Sequence, residues 1–139
     1  MKVFISHSHS KIDEPLVRKV TTALQKAGLD VWDERMEVFP GDNWAEKIGQ
    51  ALRESEAMVV LFTPNALDSQ WVNHDIGYAL GEYRFQNRLV TVLAGPPEKL
   101  SEDKIPWVLR RMKIFKLGEN GKEDHLKQIA QTLLETAET

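Results

Sequence analysis

An indole and a carboxylate stand four residues apart in the segment Ser69-Gln70-Trp71-Val72-Asn73-His74-Asp75-Ile76, just beyond an apolar run from Ala57 to Phe62. Four residues make about one helical turn, so Trp71 and Asp75 fall on the same flank of a helix, in line with Tyr78 and Glu82. The apolar stripe beside them is Val72, Ile76, Ala79, Leu80 and Tyr83. A flat ring beside a carboxylate suits a ligand that carries a planar base and a sugar. Taken singly, each residue has a plainer role: a tryptophan early in a helix usually packs, and an aspartate is usually a solvated charge.

Those side chains need a scaffold, and the rest of the chain describes one. Short apolar runs alternate with segments of helical period, the pattern of parallel strands joined by crossover helices. The predicted strands are Lys2 to Ile5, Leu29 to Trp32, Ala57 to Phe62, Leu89 to Ala94 and Lys113 to Leu117. A helix carrying Leu16, Val17, Val20, Leu24 and Ala27 lies between the first two, with Ser10 or Asp13 as its cap and Gly28 as its stop. Asp42 or Asn43 can cap the next, whose apolar face is Trp44, Ile48, Ala51 and Leu52, and Asn43 with Glu46 has the spacing of a capping box. Gly95-Pro96-Pro97 breaks the chain after the fourth strand, and a short helix around Pro106 to Arg111 precedes the fifth. The last helix buries Leu126, Ile129, Ala130, Leu133 and Leu134. Residues 1–139 thus read as one α/β domain.

Composition narrows the partners. With 18 Lys and Arg against 21 Asp and Glu, the formal charge of -3 lacks the broad positive field that gathers nucleic acid. Cysteine is absent, which removes disulfides and thiolate metal sites. Val3 to Ile5 is too short for a secretory signal, and no stretch approaches the ~20 apolar residues of a membrane helix. The expectation is a cytoplasmic protein without nucleic-acid or membrane partners.

Ligands of open parallel sheets bind beyond the carboxyl ends of the strands, so the following loops carry the functional argument. Ser6-His7-Ser8-His9-Ser10 follows the first strand at a helix N-terminus, where backbone N–H groups favour an anion such as a diphosphate. A polar turn and cap explains the same residues equally well. Two histidines at i and i+2 find no third ligand, so no metal site is expected. The second loop, Asp33 to Asp42, is long and carries Met36, Val38 and Phe39 before Pro40-Gly41. It reads either as a lid or docking surface, or as a turn with apolar residues tucked onto the flank.

Five stretches in order resemble the TIR (Toll/interleukin-1 receptor) domain of bacterial type. They are Lys2-Val-Phe-Ile-Ser-His-Ser8; Gly28-Leu-Asp-Val-Trp-Asp-Glu34; Pro40-Gly41-Asp-Asn-Trp44; Ala51-Leu-Arg-Glu-Ser55 with Val59-Val-Leu-Phe-Thr-Pro64; and Ser69-Gln-Trp71. The resemblance covers nearly the whole chain. It implies a flavodoxin-like three-layer sandwich whose five-stranded parallel sheet has the order 2-1-3-4-5. It also makes Asp33 to Asp42 the family's BB loop, with Arg35, Met36, Phe39, Pro40 and Gly41 as the self-association surface.

Many TIR domains cleave NAD at the nicotinamide ribosyl bond, giving ADP-ribose or a cyclised form of it. The resemblance therefore implies NAD as substrate rather than cofactor, with Ser6, His7, Ser8, Asp33, Trp44 and Trp71 around it and Asp75 as the catalytic carboxylate. The family has glutamate at that position, so this chain departs from it. Aspartate is shorter by one carbon-carbon bond, about 1.5 Å, and a misplacement of ~1 Å can cost about a hundredfold in rate. Glu82 lies too far along the helix to replace it, and Glu34 is weaker still. Two readings stay open: an NAD glycohydrolase or cyclase in immune and antiphage signalling, which the retained carboxylate favours, and an inactive module that docks through TIR-TIR contacts. A lone TIR domain without a sensor segment must be switched on by a partner chain, by assembly or by a neighbouring segment; if the natural protein ends near Thr139, a separately encoded effector or sensor protein is the expected partner. Other domains of this architecture fit less well. A phosphoacceptor receiver needs acidic residues where Ser6-His7 and Phe62-Thr63 stand, and a flavodoxin needs aromatic flavin clamps. A nucleoside deoxyribosyltransferase is the nearest rival, against which Pro40-Gly41 and Ser69-Gln-Trp71 speak.

Overall fold

A computed structural model describes residues 1–33, 39–82, 85, 88–95, 99–100, 102–111, 113–117 and 123–137. Its frame is a five-stranded parallel sheet in the order β2-β1-β3-β4-β5, formed by β1 (Lys2–Ser6), β2 (Asp30–Trp32), β3 (Ala57–Phe62), β4 (Leu89–Leu93) and β5 (Lys113–Lys116). All five predicted strands form, each within a residue of its expected ends. Helices α1 (Glu14–Lys26), α2 (Trp44–Glu54), α3 (Gln70–Leu80) and α4 (Glu123–Ala137) alternate with them.

The strands divide their side chains between two cores by simple alternation, the signature of a sheet covered on both faces. Val3, Ile5, Val59, Leu61, Val90 and Val92 face α1 and α4, where they meet Val17, Val20, Leu24, Ile129 and Leu133. Phe4, Trp32, Met58, Val60, Phe62 and Leu93 face the other side and pack on Ala51, Leu52, Val72, Ile76 and Ala79 of α2 and α3. Phe4 and Trp32 stack with centroids 5.1 Å apart, fixing the seam between β1 and β2.

Several local readings need correction. Asp13 occupies the N-cap position of α1 but has helical torsions and makes no capping bond, because its carboxylate is engaged elsewhere. Leu80 belongs to the exposed side of α3 at 43% accessibility, and Ala27 is exposed at the end of α1. Between β4 and β5 the short helix expected around Pro106 to Arg111 forms as a 3-10 helix, Leu109–Arg111, and a second one, Glu102–Lys104, precedes it. Other signals act as read. Asn43 caps α2 by accepting from the Glu46 N–H at 3.2 Å, and Gly28 takes φ +96° to turn the chain from α1 into β2. Tyr83, Pro96 and Pro97 lie outside the described residues.

Candidate functional site

Helix α1 returns the chain to β2 across one face of the sheet, whereas α2 carries it to β3 across the other. The two crossovers diverge at β1, so the carboxyl ends of β1 and β3 open a crevice at a topological switch point. Ser69 starts α3 at the rim by accepting from the Val72 N–H at 3.3 Å, and this cap sets the helix so that Trp71 and Asp75 face the crevice.

The crevice is a cleft of about 60 Å³. Its floor is Phe4, Ile5 and Trp32, and Ala45 and Ile48 of α2 close one side. His7, His9, Trp71, His74 and Asp75 supply the polar and aromatic wall. Asp75 is 9% exposed and accepts a hydrogen bond from Ser6 Oγ at 2.7 Å on its Oδ2. Its Oδ1 lies 3.7 Å from Nδ1 of the exposed His74. The Trp71 indole stays 45% exposed and stacks on the His9 imidazole, with centroids 5.8 Å apart and planes inclined by 24°. The carboxylate is therefore held at the bottom of the cleft and a pair of rings stands at its mouth.

The loop after β1 is more tightly bonded than a free anion cradle. Ser6 is committed to Asp75, Ser8 Oγ donates to Asp13 Oδ2, and the His7 ring is held by the Ser8 carbonyl at 2.8 Å and by Asp33 Oδ1 at 3.0 Å. All three side chains and Asp33 are buried. Asp13 gathers the loop after β3 as well, accepting from Thr63 Oγ1 and, at 3.4 Å, from Asn65 Nδ2. A single carboxylate thus ties the β1 loop, the start of α1 and the β3 loop.

Beyond the cleft, Phe39 exposes 61% of its surface, with the Lys47 ammonium 5.7 Å from its ring centroid. Pro40 and Gly41 make the turn below it, Gly41 at φ +93°. Asp42 closes this turn by accepting from the Phe39 N–H at 2.8 Å, and its carboxylate contacts Lys47 at 3.0 Å. The Phe39 bond first, and then the lysine, hold the Asp42 carboxyl below its ordinary range. Arg35, Met36 and the side chain of Trp44 lie outside the described residues.

Sequence reasoning took Asp13, with Ser10, as a candidate cap, read His9 only as part of the β1 loop, and gave Thr63, Asn65 and His74 no role in the site. His74 adjoins Asp75 in the chain and His9 falls inside the β1 loop, so adjacency alone could have drawn both in. The joining of Asp13 to Thr63, fifty positions away, has no local signal. Among the described residues no group of three or more His, Asp or Glu could hold a metal ion, and no helix is long and apolar enough to cross a membrane.

A 2-1-3-4-5 parallel sheet with a buried carboxylate at its switch point defines a flavodoxin-like α/β domain with a polar cleft. The chain belongs to the TIR domain family, whose model matches residues 3–133. It is 34% identical over 70 residues to a probable 2′ cyclic ADP-D-ribose synthase, BdTIR, of Brachypodium distachyon, an alignment that covers 50% of this chain and 31% of that protein. It is 31% identical over 74 residues to the 2′ cyclic ADP-D-ribose synthase AbTIR of Acinetobacter baumannii, covering 53% of this chain and 27% of that one. The chain thus spans about a third or less of these relatives. Among solved structures, the TIR domain of the Toll-related receptor TRR-2 from Hydra magnipapillata superposes with a TM-score of 0.70 at 17% identity, over 99% of this chain and 98% of that one. The TIR-STING receptor from C. gigas does so with a TM-score of 0.74 at 21% identity, over 92% and 38%. These last two likenesses are of fold.

Proposed function

We propose that this domain cleaves NAD at the nicotinamide ribosyl bond, with Asp75 as the carboxylate that faces the ribose. The observation that carries the reading is the position of Asp75: buried, hydrogen-bonded and at the base of a cleft whose mouth is formed by Trp71 and His9. Breaking the bond between the ribose C1′ and the pyridinium nitrogen sends the electron pair to nicotinamide, which departs neutral. Positive charge is left on the ribose ring, where a fixed carboxylate in a water-poor site stabilises it strongly. A nucleophile then adds to C1′: water gives ADP-ribose, whereas a group of the same ADP-ribose gives a cyclic product. The two synthases named above make the cyclic outcome the expected one.

The cleft holds about 60 Å³, whereas sites for small ligands hold about 300–1,000 Å³. Binding a dinucleotide must therefore widen it. Separation of the His9 and Trp71 rings does so at the mouth, and a second copy of the chain supplies the remaining wall. The exposed Phe39 and the Pro40-Gly41 turn are the docking surface for that copy, within a TIR-TIR assembly. The same exposed ring favours a second reading, in which the domain docks without turning over NAD. In either case it serves immune signalling in the cytoplasm, with a separately encoded effector or sensor protein.

The test is nicotinamide release from NAD across a range of protein concentration, for the parent chain and for Asp75→Asn. Turnover that rises steeply with concentration, and falls at least about a hundredfold in Asp75→Asn, supports the enzyme. Concentration-dependent association without nicotinamide release leaves the docking module.

A further inference from the structure

His7 is held at both ends of its ring in a place that water does not reach. Nδ1 lies 2.8 Å from the carbonyl oxygen of Ser8, and Nε2 lies 3.0 Å from Oδ1 of Asp33. The two side chains are 3% and 2% exposed. A carbonyl oxygen only accepts, so Nδ1 carries a proton and donates it. The contact between Nε2 and Oδ1 also needs a proton, supplied either by an imidazolium facing a carboxylate or by a carboxylic acid facing a neutral ring. Either way the pair contains both protons and has no net charge. Turning the ring would break both of these contacts.

This fixed ring lies between the strand ends that build the site. β1 and β2 pair in the register Phe4↔Trp32, so Asp33 leaves β2 beside the end of β1 and reaches the loop that follows it. His7 comes directly after Ser6, whose hydroxyl is 2.7 Å from Asp75 Oδ2. His9 meets the His7 ring edge-on at 5.8 Å, and Asp75 and His74 share the cleft with it. The backbone that aims Ser6 is thereby anchored one residue downstream, across two strands.

We propose that His7 and Asp33 act as one proton-sharing unit that positions the Ser6 hydroxyl, and through it the Asp75 carboxylate. They act as positioning residues: His7 borders the cleft, but both ends of its ring are taken up by Ser8 and Asp33. This deepens the reading of Asp75 as the reacting carboxylate and rests on it for its kinetic consequence, although the proton count stands on geometry alone.

The protonation state of each ring nitrogen is read from two-bond nitrogen-proton correlations of ¹⁵N-labelled protein. A His7 ring protonated at Nδ1, with Nε2 protonated or accepting from Asp33, is the expected result. A ring protonated at Nε2 alone overturns the proposal. The variants separate positioning from binding: His7→Gln keeps a donor toward Asp33, His7→Asn keeps one toward the Ser8 carbonyl, and Asp33→Asn preserves size. Each is expected to lower kcat for nicotinamide release by roughly ten- to a hundredfold, with KM for NAD within about twofold. Adding Asp33→Asn to His7→Gln should cost less than the product of the two separate losses, because the residues form one unit. A rise in KM at unchanged kcat would mean that they hold NAD directly, and overturns the proposal. In the same folded variants the Asp75 side-chain carboxyl ¹³C resonance should move, and an unmoved resonance also overturns it. If the parent chain releases no nicotinamide, the NAD-cleaving reading fails, and the two NMR measurements still decide whether the pair positions Asp75.

Discussion

Replacing Asp13 should cost more than any other polar substitution near the site, and the reason is its position between three segments. The side chain is buried and accepts from Ser8 Oγ, Thr63 Oγ1 and Asn65 Nδ2. In Asp13→Ala the two hydroxyls lose their shared acceptor in a region that solvent barely enters. Leaving a buried polar group unsatisfied costs about 1–3 kcal/mol each, so the two together cost about 2–6 kcal/mol, in the range found when a buried charge loses its partners. At about 2–4 °C per kcal/mol for a domain somewhat larger than this one, the midpoint of thermal unfolding should fall by at least about 4 °C, and by about 20 °C or more at the upper end.

A helix cap makes a different prediction for the same residue. Serine is as good an N-cap as aspartate, so Asp13→Ser would be nearly silent if Asp13 served α1 alone. Asp13 has helical torsions, φ -83° and ψ -12°, and no bond to the first turn, so the clamp predicts that serine loses most of what alanine loses. Its single short hydroxyl does not reach all three donors. Thermal unfolding followed by circular dichroism of the parent, Asp13→Ala and Asp13→Ser decides between the two. A serine variant within about 2 °C of the parent would refute the clamp and restore the cap.

Two further outcomes follow from the site. Trp71 is 45% exposed, so Trp71→Ala should change stability by less than about 1 kcal/mol, yet it should raise KM for NAD about fivefold or more through lost stacking. A titration of NAD against nicotinamide release checks this, and an unchanged KM would remove Trp71 from the binding surface. The Asp42 carboxyl is held below its unfolded value of 3.8 by the Phe39 N–H and by Lys47. A carboxylate of lowered pKa stabilises the turn fully above the unfolded value and loses that effect as pH falls through the folded one. The Phe39 amide should therefore lose hydrogen-exchange protection only below about pH 4 in the parent, while Asp42→Asn should show no such acid step.

The contrast between what was legible in the sequence and what was not follows the range of the interactions. Strands and helices were readable because periodicity is local: Val59 and Leu61 face one core and Met58, Val60 and Phe62 the other by alternation alone. The capping of α2 by Asn43 is equally local, an acceptor three residues from its donor. Trp71 and Asp75 could be placed on one flank by helical spacing, and the switch point that follows from the strand order puts that flank over a cleft.

The hydroxyls and acids of the strand-end loops were harder, because each has a local use that the fold overrides. Asp13 looks like a cap and Ser6 to Ser8 look like a phosphate cradle, but once three strand ends converge these groups meet one another at shorter range than any cap or anion. Burial then decides the matter. An unpaired carboxylate or hydroxyl in so enclosed a place is costly, so each donor turns toward the nearest acid: Ser6 to Asp75, Ser8 and Thr63 to Asp13, His7 to Asp33. Pairing by burial makes the cleft a pre-set site, in which the aim of the Asp75 carboxylate is fixed by bonds formed when the chain folds. Under the proposed NAD-cleaving reading, a short aspartate suffices where the family has a longer acid, because its hydroxyl partner Ser6 at the end of β1 holds it at 2.7 Å. Lengthening it by a methylene in Asp75→Glu should accordingly break the Ser6 bond and lower turnover rather than raise it, and an Asp75→Glu variant faster than the parent would show that the Ser6 contact does not set the aim.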